Sequence, residues 1–258
     1  MPSFKTEAIV LKSINYGESD KIVTFFTKDF GKLKGIAKGA RRSRKRFQNA
    51  LNLFTHIRLI FFEREGMGLV RADGCDILYT FPKIREDLKK ILYANYFLEL
   101  INEMSTEKEA NLNAYDLLLW SLSMLDQAEA KEEWLRIFEI KILSIFGYRP
   151  NIKRCNVCKK ALDEFKEISF YFSQEKGGLI CERCIGGLND LSSISLGTLR
   201  MIEKVSEMDL EEVKRIKFSS QSLEEVKDIL PKFIQYHLGK GLKTLKVLKE
   251  IQSLSTTT

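Results

Sequence analysis

Short apolar runs rich in Val, Ile, Phe and Thr, each bounded by Gly, Asn, Ser or Asp, fill the first 80 positions and predict strands. Thr6 to Ile14 reads as the first, Asn15 to Asp20 as the turn after it, and Lys21 to Thr27 as the second. Asp29-Phe30-Gly31 turns the chain into a third strand, Lys32 to Ala37. After a long polar loop, Thr55 to Glu63 is a fourth, and Glu65-Gly66 turns it into Gly68 to Asp73. Five short strands with tight turns and one long loop predict a small closed or half-open barrel.

From Pro82 the period changes to three and four. Ile84, Leu88, Ile91, Leu92, Leu98 and Ile101 lie on one helical face, giving an amphipathic helix to about Met104. Leu112 to Leu125 and Trp134 to Phe146 are two more, and Gly147 with Pro150 ends the third. Further on, Ser195 to Ser206 reads as a helix. Ser222-x-x-Glu225 is a capping box opening another, which Pro231 is expected to interrupt. From Lys232 to the end, Ile234, Leu238, Leu242, Leu245, Leu248 and Ile251 share a face, with Lys240, Lys243, Lys246 and Lys249 on another. That basic stripe is either a wet helix side or a dock for an acidic peptide with an apolar end, held by lysines beside a leucine groove. Ser253 to Thr258 reads as a disordered tail.

Charge sets one part of the barrel apart. Residues 1–80 hold 15 Lys+Arg against 8 Asp+Glu, and 81–258 hold 27 of each, so the whole excess of +7 sits in the N-terminal third. Nine of the nineteen residues from Lys28 to Arg46 are Lys or Arg, opposed only by Asp29. Charge confined in this way makes a local positive potential that draws in a polyanion, and nucleic acid is the first candidate; a solvated flexible loop is the bland alternative. A five-stranded oligonucleotide-binding barrel fits the strand count and uses a basic groove with aromatic platforms. The candidate DNA contacts are Lys32, Lys34, Lys38, Arg41, Arg42, Arg44, Lys45 and Arg46. Phe25, Phe26, Phe30 and Phe47 are either platforms or core.

Cysteine spacing carries the other motif. Cys155-x-x-Cys158 and Cys181-x-x-Cys184 enclose 22 residues, two knuckles whose thiolates can meet tetrahedrally around one zinc ion. A two-strand insert, Ile168 to Phe172 and Gly178 to Ile180, absorbs the extra length. Lys153, Arg154, Lys159 and Lys160 flank the first knuckle and are expected to favour thiolate. Four sulfur ligands leave no position for water, so the metal is expected to be structural. A redox pair is the competing reading, and Cys75 reads as a small core residue.

Absences narrow the chemistry. The sequence has no Gly-rich loop ending in Lys-Ser or Lys-Thr, no HExxH, and no His-x-Glu beside a CxxC. His56 and His237 are isolated in sequence and read as structural. No apolar run reaches the length of a membrane span, and MPSFKTEAIVLKS is not a signal peptide, so a cytosolic, non-enzymatic protein is expected. A nucleic-acid-processing enzyme and an RNA-binding accessory protein are the alternatives.

The chain resembles the RecO family of DNA repair and recombination proteins. The resemblance is carried by TEAIVLKSINYGESDKIVTFFTKDFGKLKGIAKGARR, by GYRPNIKRCNVC with GGLICERC, and by YHLGKGLKTLKVL. It implies an α+β protein: an N-terminal five-stranded oligonucleotide-binding (OB) barrel over 1–80, then an all-α domain over 81–149 and 191–258 with a four-cysteine zinc knuckle inserted at 150–190. It further implies a bacterial, nucleoid-associated mediator that binds single- and double-stranded DNA and anneals complementary strands. With RecR, such a protein helps load RecA onto DNA coated by single-strand-binding protein, whose acidic C-terminal tail it contacts. Lys240, Lys243 and Lys246 are the candidate residues for that tail.

Overall fold

The computed structural model describes residues 2–43, 45–63, 68–165 and 169–255, with side chains described to residue 251. Two compact units divide the chain, Met1–Ala130 and Lys131–Thr258.

In the first unit, β1 (Ser3–Tyr16), β2 (Asp20–Thr27), β3 (Gly31–Ala37), β4 (His56–Phe62) and β5 (Val70–Tyr79) close a barrel in the order β1-β2-β3-β5-β4. Neighbours are antiparallel except β3 and β5, which pair in parallel through Gly35–Val70 to Ala37–Ala72. A register shift between Val10 and Lys12 bends β1, so that one long strand serves both β2 and β4. Alternation decides what fills the barrel: Ala8, Val10, Val23, Phe25, Leu33, Ile57, Leu59 and Phe61 point inward and are buried. β5 runs six residues past the expected Asp73, and its last residues pair with β4. The Glu65-Gly66 turn lies outside the described residues.

Two helices complete this unit. α1 (Leu88–Met104) starts later than the spacing predicts, because Pro82–Ile84 forms a separate 3-10 turn and the Asp87 carboxylate caps α1 by accepting from Lys90 N at 3.1 Å. α2 (Leu112–Gln127) is capped in the same way by Asn111. Between them, the chain at Glu107 and Lys108 runs beside β3: Lys108 N donates to Lys32 O at 3.0 Å. Gly31 makes that approach possible, since at φ +65 a Cβ there would lie 1.8 Å from the Glu109 carbonyl oxygen.

The second unit holds α3 (Glu132–Ile145), a sheet of β6 (Phe170–Ser173), β7 (Gly178–Cys181) and β8 (Leu191–Ile194) in the order β7-β6-β8, and four further helices. These are α4 (Leu196–Glu207), α5 (Leu210–Val213), α6 (Ser220–Leu238) and α7 (Lys243–Ser255). The expected two-strand insert is therefore present as β6 and β7, although Ile168 lies outside the described residues, and β8 adds a third strand. Phe172 meets Phe233 edge-on at 5.2 Å, so the sheet packs on α6.

Four expectations for the C-terminal helices are corrected. Pro231 does not interrupt α6. Proline in a helix interior costs ~3 kcal/mol, and burying Val226, Ile229, Leu230, Phe233 and Ile234 on the same face outweighs it. The cap of α6 is Ser219, whose Oγ accepts from Ser222 N at 3.1 Å. Glu225 instead takes the Ser195 N–H and hydroxyl at the start of α4. The leucine face is split as well: Gly239, at φ 65, closes α6, and α7 restarts at Lys243. α7 runs to Ser255, so Ser253–Ser255 are helical where a disordered tail is expected, and 256–258 lie outside the described residues.

Candidate nucleic-acid interface and metal centre

The basic loop leaves β3 at Ala37 and is held at both ends. The Asp20 carboxylate accepts from Gly39 N at 2.8 Å and from Ser19 Oγ at 2.9 Å, and these bonds hold its pKa below 3.8. Arg41 N donates to Ser19 O, and its guanidinium donates to Gly17 O and, at 2.9 Å, to Glu18 O. Arg46 closes the far side: its guanidinium donates to Lys38 O at 2.9 Å and to Asp73 O, and lies 5.1 Å over the Phe47 ring. Arg41 and Arg46 therefore brace the loop while remaining exposed.

The candidate cations divide into two groups. Lys38, Arg41, Arg42, Lys45 and Arg46 stand together at the surface of the loop. Arg42 lies 3.8 Å from Glu18 with both side chains largely in solvent, an arrangement worth little to either. Lys32 and Lys34 sit back along β3: Lys32 Nζ donates to Asn102 O at 2.6 Å, and Lys34 pairs with Glu107 at 2.8 Å. Arg44 lies outside the described residues.

Three of the four phenylalanines are too deeply buried to be platforms. Phe25, Phe26 and Phe47 are buried, and Phe30 packs against Phe4 and Phe61 with centroids 5.4 and 5.3 Å away. What the loop borders instead is a groove of about 560 Å³ whose wall includes Asn15, Lys21, Arg41 and Asn49. Sequence reading missed Lys21 because it belongs to a strand, and only pairing with Asn15 and Ala37 places it beside the loop.

His56 is not isolated in the fold. Its Nε2 lies 2.9 Å from the Tyr115 hydroxyl and 3.5 Å from a Glu7 oxygen. Burial lowers its pKa below 6.5, against the pull of Glu7. His237 sits among the rings of Phe233, Tyr236 and Tyr148. Cys75 packs against the barrel core, and burial pushes its thiol up to about 12.

In the second unit, Sγ of Cys155, Cys158, Cys181 and Cys184 all lie within 4.8 Å of one another. Cys158 and Cys181 Sγ are 3.8 Å apart, which matches the ~3.8 Å between ligands of a tetrahedral ion with ~2.3 Å metal–sulfur bonds. The four thiols are free and could hold a metal ion. Burial opposes ionisation of Cys155, but the backbone N–H groups of Cys181, Cys158 and Val157 outweigh it and bring the thiol down to about 7. Cys181 is pushed up to about 12, chiefly by burial. The flanking cations do not act as expected. Lys153 pairs with Glu203 at 3.0 Å, Lys159 Nζ donates to Asn156 O, and Lys160 lies over the Phe165 ring. Amide N–H groups, not lysines, supply the thiolate bias.

The C-terminal lysines do not form one stripe. Lys240 lies in the turn after α6, beside a groove of about 610 Å³ that Lys232 and Tyr236 also line, while Lys243 and Lys246 are on α7. Leu242, Leu245 and Leu248, on the other face, are buried.

Comparison with known proteins covers both units. Residues 1–81 match the family model for the Recombination protein O N terminal region, and 85–246 match that for the Recombination protein O C terminal region. The DNA repair protein RecO of Syntrophus aciditrophicus is 40% identical over 252 residues, 97% of this chain and 96% of that protein. That of Desulfatibacillum aliphaticivorans is 32% identical over 98% of both chains. That of Thermoanaerobacter sp. is 33% identical over 98% of this chain and its own full length.

Proposed function

The chain belongs to the RecO family of DNA repair proteins, and on that premise we propose that it is a recombination mediator which holds DNA on the basic loop of its barrel. It binds single and double strands and anneals complementary ones. With RecR it promotes RecA loading on DNA coated by single-strand-binding protein, whose acidic tail meets the lysines around Lys240. Annealing breaks no covalent bond; it needs two phosphate backbones neutralised so that the strands can approach, and the protein acts without catalytic residues. One zinc ion on the four cysteines serves as a cross-link. The setting is the bacterial cytoplasm, at the nucleoid. No described helix is long and apolar enough to cross a membrane.

The observation that supports this most is the clustering of Lys38, Arg42 and Lys45 at the surface of a loop braced from below by Arg41 and Arg46. The brace also selects the test. Reversing Arg41 or Arg46 would disturb the loop, whereas Lys38→Glu/Arg42→Glu/Lys45→Glu reverses charge and leaves both braces in place. If four to six cations meet phosphates, log affinity falls against log salt with a slope of roughly −3 to −5, and the triple variant lowers that slope by ~2. A salt-independent affinity, or cleavage of labelled DNA that follows the protein through mutation when Mg²⁺ is added, would overturn the reading.

A further inference from the structure

The groove beside the basic loop is lined by side chains that phosphate binding does not need. Asn15, Gln48, Asn49 and Asn52 all border it, together with Lys21 and Arg41. All four amide side chains are exposed, and none donates to or accepts from another described residue.

Packing explains why the amides point outward. Between β3 and β4 the chain runs Phe47, Gln48, Asn49, Ala50, Leu51, Asn52. Phe47, Ala50 and Leu51 belong to the barrel core, at 3%, 1% and 2% exposure. Ala50 N donates to Phe47 O and Thr55 N to Asn52 O, closing two turns. With three residues of the six anchored inward, Gln48, Asn49 and Asn52 are left at the surface. Asn49, at φ 55, takes the left-handed conformation that asparagine tolerates best after glycine. Asn15 comes from β1, opposite Lys21 on β2, so the amides reach the groove from two elements.

An amide side chain offers both N–H donors and a carbonyl acceptor, the complement of a nucleobase edge. A volume of about 560 Å³ falls within the range of sites for small ligands. The two cations at its wall supply a seat for phosphate. We propose that this groove holds one unstacked nucleotide of a single strand, with phosphate on Arg41 and Lys21 and the base edge on the amides. The inference rests on the nucleic-acid reading above and adds to it a contact that depends on the base. Recognition in the groove is by hydrogen bonding, because Phe47, the phenylalanine in its wall, is buried. A duplex offers these amides no Watson–Crick edge, because its pairing edges are occupied.

The test compares two labelled single strands of equal length, one of deoxyadenylate and one of abasic sugar-phosphate, by fluorescence anisotropy with the full chain over a series of salt concentrations. The strand with bases is expected to bind ~10-fold more tightly at every salt concentration, since hydrogen-bonded base edges add a term that salt does not screen. Gln48→Ala/Asn52→Ala, which spares the left-handed Asn49, should remove most of that difference and leave the salt slope unchanged. Circular dichroism melting of the variant checks that it is folded. Equal affinity for the two strands with a steep salt slope would overturn the amide contact and leave the charge reading standing, as would a double variant that keeps the full discrimination. Failure to bind either strand would overturn both.

Discussion

The arginines show how far identity alone falls short of a role. Arg41, Arg42 and Arg46 are equivalent in composition, yet Arg41 and Arg46 spend N–H groups on backbone carbonyls and Arg42 does not. An arginine has five donors, so it can brace a loop and still present charge. His56 is a second case. Burial holds it neutral against Tyr115 and Glu7, so its folded pKa lies below the 6.5 of the unfolded chain. The unfolded state then takes up the proton first as pH falls, and stability that is complete above 6.5 is lost on going down through the folded pKa. The melting temperature of the wild type should therefore drop between about pH 7.5 and about pH 5.5 by more than that of His56→Gln, which can still accept from Tyr115 but cannot titrate. Equal drops would show that His56 titrates alike in the folded and unfolded states.

Elements are legible in the sequence where one face dominates and obscure where two rules compete. α2 begins at its predicted residue because a cap and an apolar face agree. α6 passes through Pro231 because burial outweighs the lost hydrogen bond, and the leucine face breaks at Gly239 because a left-handed residue redirects the chain whatever the periodicity beyond it. The consequence for α7 can be measured. Leu245 is buried, so Leu245→Ala should cost ~2–3 kcal/mol in chemical denaturation. Lys246→Ala, on the wet side, should stay within ~0.5 kcal/mol. A larger loss at Lys246 than at Leu245 would reverse the assignment of faces.

For the molecule as a whole, the confined charge and the four-cysteine cluster fall in different compact units. The cysteines join two stretches of chain, at 155–158 and 181–184, around a three-stranded sheet whose β7 ends on Cys181. An ion held there stabilises only the folded state, in which the four thiols converge. Stripping the metal with a chelator should lower the melting temperature by ~10 °C, while binding of single-stranded DNA at a temperature below both transitions should change less than ~2-fold, because the proposed contacts lie on the barrel, in the other compact unit. Loss of DNA binding in step with the metal would place the cysteines in the interface.

Five strands, the main helices, the two-strand insert between the cysteine pairs and the confinement of charge to the first 80 residues all follow from the sequence alone. These are local properties, set by side-chain periodicity, turn residues and spacing, and they need no knowledge of what lies opposite. Which phenylalanines face inward is a matter of tertiary packing, since barrel closure turns every second residue of a strand to the core. Packing also settles that amides, not lysines, bias Cys155 toward thiolate, that Lys32 and Lys34 lie against the chain at Asn102 and Glu107, and that Lys21 and Asn15 share a groove with residues some thirty positions away. All of these depend on pairings between distant segments, whose free energy is shared across the whole fold and leaves no pattern at any single position.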